Sequence, residues 1–152
     1  MGPGARGSAF SIEQRVYYQH TDAGGVVYHG NYLAFLEACR TELLHSLGFN
    51  LAELANKRSV LFIVHRLKLE FRRPARLHEM LRISATPSEV GRASVAFDQE
   101  VSSEGQTLVS ASVRLACVHP GSWRPVPIPD DVRTELLELR PASLASRRPS
   151  LA

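Results

Sequence analysis

A chain of 152 residues suits one domain, able to bury about two thirds of the surface that its unfolded form exposes. With 44% hydrophobic and 22% charged residues it lies outside the disordered and fibrous classes, and no stretch approaches the ~18 apolar residues of a membrane span, so a cytoplasmic protein is expected. The formal net charge of +3 owes much to Arg140, Arg147 and Arg148, which makes it weak support for phosphate-bearing partners and none for nucleic acid.

The two ends carry little pattern. Residues 1–9 (MGPGARGSA) lack an apolar leader segment and residues 140–152 (RPASLASRRPSLA) hold few apolar side chains, so both are expected to be flexible tails on a single domain spanning 10–139. Residues 11–19 alternate as a strand, with Ile12, Val16 and Tyr18 on one side and Glu13, Arg15 and Tyr17 on the other. A glycine loop, Ala23-Gly24-Gly25, follows. From 31 to 46 the period becomes helical: Tyr32, Phe35, Leu36, Cys39, Leu43 and Leu47 recur every three or four residues, and Gly48 supplies the stop. Leu33, Ala34 and Ala38 widen the apolar surface, so this helix is expected to be covered on several sides. Asn50 and Glu53 have capping-box spacing for a short helix over 51–56.

Four strands are predicted after that. The first, 60–71, sets Leu61, Ile63, Leu67 and Leu69 on one face; 80–89, 92–102 and 106–118 follow, with Glu104-Gly105 as a hairpin turn. Connections too short for crossover helices predict a meander of antiparallel neighbours. The fold class is therefore α+β: a curved antiparallel five-stranded sheet wrapped around one long central helix. Residues 120–129 are Pro-rich and irregular, and 130–139 predict a terminal helix capped by Asp130. Cys39 and Cys117 lie in apolar segments without CxxC or disulfide-like spacing and are expected to be buried free thiols. The six histidines show no ligand spacing, so no metal site is expected.

Chemistry concentrates at 15–32, RVYYQHTDAGGVVYHGNY, where the first strand meets the long helix. A carboxylate at Asp22, two glycines and His29 are packed into this junction, and a helix N-terminus nearby offers unpaired N–H groups able to stabilise an oxyanion. Asp and Gly also simply make turns. The conjunction points to acyl transfer, in which a base or nucleophile works beside donors aimed at a carbonyl oxygen.

The run HTDAGGVVYHGNYLAFLEACRTELL resembles the signature of the hotdog-fold 4-hydroxybenzoyl-CoA thioesterase family, in particular its Tol/Pal-associated acyl-CoA thioesterase branch. The likeness extends over about residues 12–129, through EFRRPARLHEML, EVGRAS and SVRLACVHP. It implies hydrolysis of an acyl-CoA thioester, with Asp22 as nucleophile or general base, the His29 backbone N–H polarising the carbonyl, and Tyr18 orienting Asp22 or water. It also implies that Arg92, Ser94 and Arg114 meet the phosphates of coenzyme A, which is part of the substrate and not a cofactor. Arg72, Arg73 and Arg76 are a denser cluster, but a charge run flanking a proline reads more readily as a solvated strand end, and Arg66 and Lys68 are ambiguous in the same way. A homodimer or homotetramer with sites built from two chains, and an association with the Tol/Pal system, come from the resemblance as well.

The branch usually reads Asp-Thr-Asp where this chain has His20-Thr21-Asp22. If the first strand continued to Asp22, residues 20 and 22 would point the same way and a protonated His20 would favour the ionised carboxylate. Two other readings stand beside hydrolysis. One is a hotdog (R)-hydroxyacyl dehydratase; the other is a non-catalytic acyl-CoA-binding or scaffold protein.

Overall fold

Alternating apolar residues build five strands: β1 (Phe10–Arg15), β2 (Leu61–Phe71), β3 (Met80–Val90), β4 (Ser94–Ser103) and β5 (Gln106–Val118). In the computed structural model, which describes residues 9–142, they form one antiparallel sheet in the order β1-β3-β4-β5-β2. Most of both expected tails, at 1–8 and 143–152, lies outside the described residues.

This order corrects the expected four-strand meander. Only β3, β4 and β5 follow one another as neighbours, while β2 pairs with β5 and β1 with β3. Residues 72–79 cross from the β2 edge to β3, three strand spacings or roughly 14 Å away. Extended chain of that length reaches roughly 26 Å, so a connection too short for a helix is still long enough to skip two strands. The Glu104-Gly105 turn is as expected: both residues have positive φ, 51° and 76°, matching the twist of a two-residue hairpin between Ser103 and Gln106.

The long β2 strand also departs from the simple alternation. Its register against β5 shifts between Val64 and Arg66, leaving His65 as the extra residue of a bulge. Leu61 and Ile63 therefore face one way, whereas Leu67, Leu69 and Phe71 face the other, opposite the core residues Val113, Ala111 and Val109. The four leucine and isoleucine positions do not share a face.

Among the described residues three helices form, α1 (His29–Ser46), α2 (Leu51–Arg58) and α3 (Asp130–Glu138), so the long helix is not alone on the sheet and the two short ones fall close to the predicted 51–56 and 130–139. Helix α1 buries Tyr32, Phe35, Leu36, Cys39, Leu43 and Leu44, and packs chiefly on β1 and β3. Facing it are Leu81, Ile83, Val95, Phe97, Val101, Val109 and Val113, all nearly inaccessible. At about 25 cal/mol per Å² of apolar surface, this two-layer burial is the main stabilising term. Asn50 caps α2 by accepting the Glu53 N–H at 3.1 Å. Asp130 is the first residue of α3 and not its cap; Pro129 occupies that place, and Asp131 instead holds Arg58 through bonds of 2.9 and 2.7 Å. That pair is exposed and contributes about 1 kcal/mol at most.

Both cysteines are free and buried. Burial pushes the Cys39 thiol up to about 12 and the Cys117 thiol up to about 11. Neither forms appreciable thiolate at neutral pH, so the native protein should react negligibly with a disulfide thiol reagent at pH 8 and release two equivalents only in denaturant. Rapid labelling of the native protein would contradict the buried placement.

Candidate active site

Strand β1 stops at Arg15, earlier than the sequence pattern suggests. Val16 still bonds the 78–79 segment, its N–H reaching Glu79 O at 2.9 Å and its carbonyl accepting the His78 N–H at 2.8 Å. The chain then turns through one 3-10 turn, Tyr18–His20. The turn rotates His20 inward, leaving it 8% exposed with its ring edge-on to Phe35 at 5.0 Å. Its Nδ1 accepts the Tyr17 N–H at 2.9 Å, so that nitrogen carries no proton. Asp22 is exposed. The expected alignment of His20 with Asp22, and with it the electrostatic coupling, is therefore corrected: it required a strand where the chain makes a turn.

From Thr21 to Val27 the chain closes a small loop. Thr21 and Val27 form a bridge, the Asp22 N–H donates to Val26 O at 2.9 Å, and the Gly25 N–H donates to Asp22 O at 3.1 Å. Gly25 has φ +80°, which a side chain would strain. Asp22 Oδ1 accepts the Gly24 N–H at 2.8 Å, and Oδ2 accepts no hydrogen bond among the described residues. One carboxylate oxygen therefore shapes the turn while the other faces solvent.

The start of α1 is fastened to this loop by one carbonyl. His20 O accepts both the Tyr28 N–H at 2.9 Å and Asn31 Nδ2 at 2.7 Å. The loop is fastened in turn to the 72–79 connection, through Val27 N–H to Ala75 O at 2.8 Å and Ala75 N–H to the Tyr32 hydroxyl at 3.1 Å. The N–H groups of His29 and Gly30, in the first turn of α1, have no acceptor among the described residues. The His29 ring stacks on Tyr28 with centroids 4.3 Å apart. Gly30 makes room for Tyr28, because a Cβ there would stand 2.8 Å from the ring.

A cavity of about 280 Å³ opens beside His29, with Val27, Tyr32 and Phe71 as its apolar walls and Arg72 and Arg73 at the end of β2. The arginine cluster thus contributes the nearest cations to the helix start. Two of its members are already engaged: Arg73 donates to Gln106 Oε1 at 3.1 Å, and Arg72 reaches Glu70 at 3.4 Å.

The other expected residues are not brought here. Tyr18 is 76% exposed, its ring edge-on to His78, with no hydrogen bond to Asp22. Arg114 and Ser94 are on the sheet face away from α1, since the alternating Val113, Leu115 and Val95 face the core. Arg114 is paired with Glu89. Phe71 lies opposite Val109, so Arg114 is roughly 17 Å further along β5, and Arg92 lies beyond it at the far end of the sheet. Within one chain, Asp22 and the Arg92/Ser94/Arg114 set occupy opposite ends. Asn31 escaped the sequence reading; its place at the helix start was the available signal.

A carboxylate with a free oxygen, on the loop that leads into a helix start with unpaired N–H groups, is of a kind able to attack a carbonyl or activate water. The sheet order, with α1 against one face and that carboxylate at its N-terminal end, defines an α+β hotdog domain of thioesterase type. The thioesterase superfamily matches residues 24–110. The chain is 38% identical over 133 residues to the acyl-CoA thioesterase YbgC of Haemophilus influenzae, covering 88% of this chain and 98% of that protein. It is 39% identical over 122 residues to the acyl-CoA thioester hydrolase YbgC of Escherichia coli O6:H1, covering 80% and 90% of the two chains. The crystal structure of a probable thioesterase from Bartonella henselae superposes with a TM-score of 0.77 at 32% identity, covering 80% of this chain and all of the other. This chain belongs to the thioesterase superfamily.

Proposed function

We propose that the protein hydrolyses acyl-CoA thioesters to a free carboxylic acid and CoA, with Asp22 as nucleophile or general base. The observation that carries this reading is the fastening of the α1 start to the carbonyl of His20, two residues before Asp22, together with a second Asp22 oxygen that accepts no hydrogen bond and His29 and Gly30 N–H groups without an acceptor among the described residues. As nucleophile, Asp22 adds to the thioester carbonyl, the C–S bond breaks with departure of CoA thiolate, and water cleaves the resulting anhydride. As base, it takes the proton of a water that attacks directly. In both routes the His29 and Gly30 N–H groups receive the negative charge that develops on the carbonyl oxygen. The His29 ring lines the cavity beside the helix start.

The protein acts as a homodimer paired through β2, which supports binding of the CoA phosphates by Arg92, Ser94 and Arg114. Strand β2 is a sheet edge eleven residues long. Val64, Leu67 and Phe71 on it are exposed. Such an edge is a template for pairing unless a partner covers it. Two-fold antiparallel pairing sets the start of one β2 beside the end of the other, so the far end of one sheet approaches the catalytic end of its neighbour. A cytoplasmic location and a Tol/Pal association accompany this reading.

A panel of short, long and aromatic acyl-CoA esters, followed with a thiol-trapping reagent, tests the function, and sedimentation tests the assembly. Catalytic release of free CoA from at least one ester and a mass of two or four chains are expected. Hydration of an enoyl-CoA without thiol release would establish the dehydratase instead. Tight acyl-CoA binding without turnover would establish a binding protein, and a monomer at assay concentration would remove the paired site.

A further inference from the structure

Trp123 is 59% exposed and has φ +61°, a left-handed conformation costly for a bulky side chain. The turn that imposes it is strongly fastened. His119 Nδ1 accepts the N–H groups of Gly121 at 2.9 Å and Ser122 at 3.3 Å, while His119 O accepts the Trp123 N–H at 2.8 Å and the His119 N–H donates to Arg124 O at 2.9 Å. A rigid loop thus holds an indole out in water next to an exposed guanidinium, Arg124. The adjoining Gly121 and Ser122 carry no apolar side chain, so the tip is a single flat aromatic face with a cation and not a greasy patch of the kind that docks a protein or enters a lipid surface.

We infer that Trp123 is the stacking platform for the adenine ring of the CoA moiety, with Arg124 taking a phosphate of the same nucleotide. This rests on the acyl-CoA thioesterase reading and on the paired β2 edges, and it names a contact that neither supplies. The tip extends from the end of β5, where Val118 lies opposite Leu61 at the start of β2. The Asp22 loop docks at the other end, roughly 40 Å away along the thirteen-residue strand. A nucleotide on Trp123 therefore belongs to a thioester held in the neighbouring protomer's site, whose Phe71 cavity antiparallel pairing sets near Leu61. Arg92 faces the same end, because its carbonyl accepts the Ile128 N–H at 2.8 Å and Ile128 follows the Trp123 turn in the chain. An aromatic face accepts a base without reading its edges, and a cation beside it holds the phosphate.

Trp123 is the sole tryptophan, so its emission reports the contact directly. Titration of the full chain with adenosine 3′,5′-bisphosphate should quench that emission saturably. Trp123→Ala should raise KM for an acyl-CoA ester about 5- to 100-fold with kcat little changed, as expected for loss of one stacked base. Trp123→Phe should recover most of the loss, and the same acyl group on pantetheine, which lacks the nucleotide, should show no such rise. The inference is overturned if the bisphosphate leaves the emission unaltered, if anionic vesicles quench it and the bisphosphate does not, or if the pantetheine ester suffers equally. Failure of thioester hydrolysis itself is separable, because the fluorescence titration needs no turnover.

Discussion

Asp22→Asn should lower kcat/KM for acyl-CoA esters by about 10²- to 10⁴-fold, the range typical of losing a positioned proton acceptor, and more if Asp22 is the nucleophile. The amide retains an oxygen that can accept the Gly24 N–H, so the loop keeps the bond that shapes it. What it removes is the charge on the second oxygen, which has no other duty in the fold. Because Asp22 is exposed and pairs with no other side chain, the melting transition should move by less than ~0.5 kcal/mol. Loss of turnover with an unchanged thermal midpoint separates a chemical role from a structural one. Residual activity within a few fold of wild type would remove Asp22 from the mechanism and leave it a turn residue.

The largest effect on stability is expected at Gln99. Arg40 lies in the apolar middle of α1 and is 9% exposed, and burial pulls its guanidinium below the usual arginine range. Its Nη1 donates to Gln99 Oε1 at 2.9 Å, and Gln99 Nε2 donates onward to Leu36 O at 3.1 Å and Ser84 O at 3.3 Å. The amide thus joins helix, buried cation and strand. Gln99→Leu takes away the acceptor and leaves a charge facing an apolar side chain, at a cost of about 3 kcal/mol. Replacing both partners, Arg40→Met with Gln99→Leu, removes the charge along with its acceptor and should recover most of that loss, since hydrophobic pairs commonly equal or exceed buried polar ones. Urea unfolding of the two single variants and the double variant measures the coupling. Additive effects would mean that the two side chains do not act as a unit.

His20 shows how far local pattern carries. Its spacing from Asp22 suggested two side chains on one strand face, and the alternation of residues 11–19 supported that strand. The backbone instead satisfies the Tyr17 N–H with the His20 ring, which turns the chain and buries the imidazole against Phe35. A side chain that completes a turn competes with the strand ladder for the same donors. Nothing in a period-two pattern records that competition.

What the sequence determined by itself is what depends on near neighbours. Apolar periods of two and of three to four marked β2 through β5 and α1, and Glu104-Gly105 marked its hairpin, because backbone conformation and side-chain direction repeat over a few residues; the junction at 15–32 offered Asp22 and His29 as candidates. The tertiary structure decided the rest. It placed β2 at the sheet edge, since the reach of residues 72–79 permits several neighbours and only packing selects one. It paired Arg40 with Gln99, 59 residues away. It also set Arg92 and Arg114 at the end of the sheet remote from Asp22, because which end of a strand a residue reaches depends on the direction in which each strand is threaded, a property of the whole sheet that no local pattern carries.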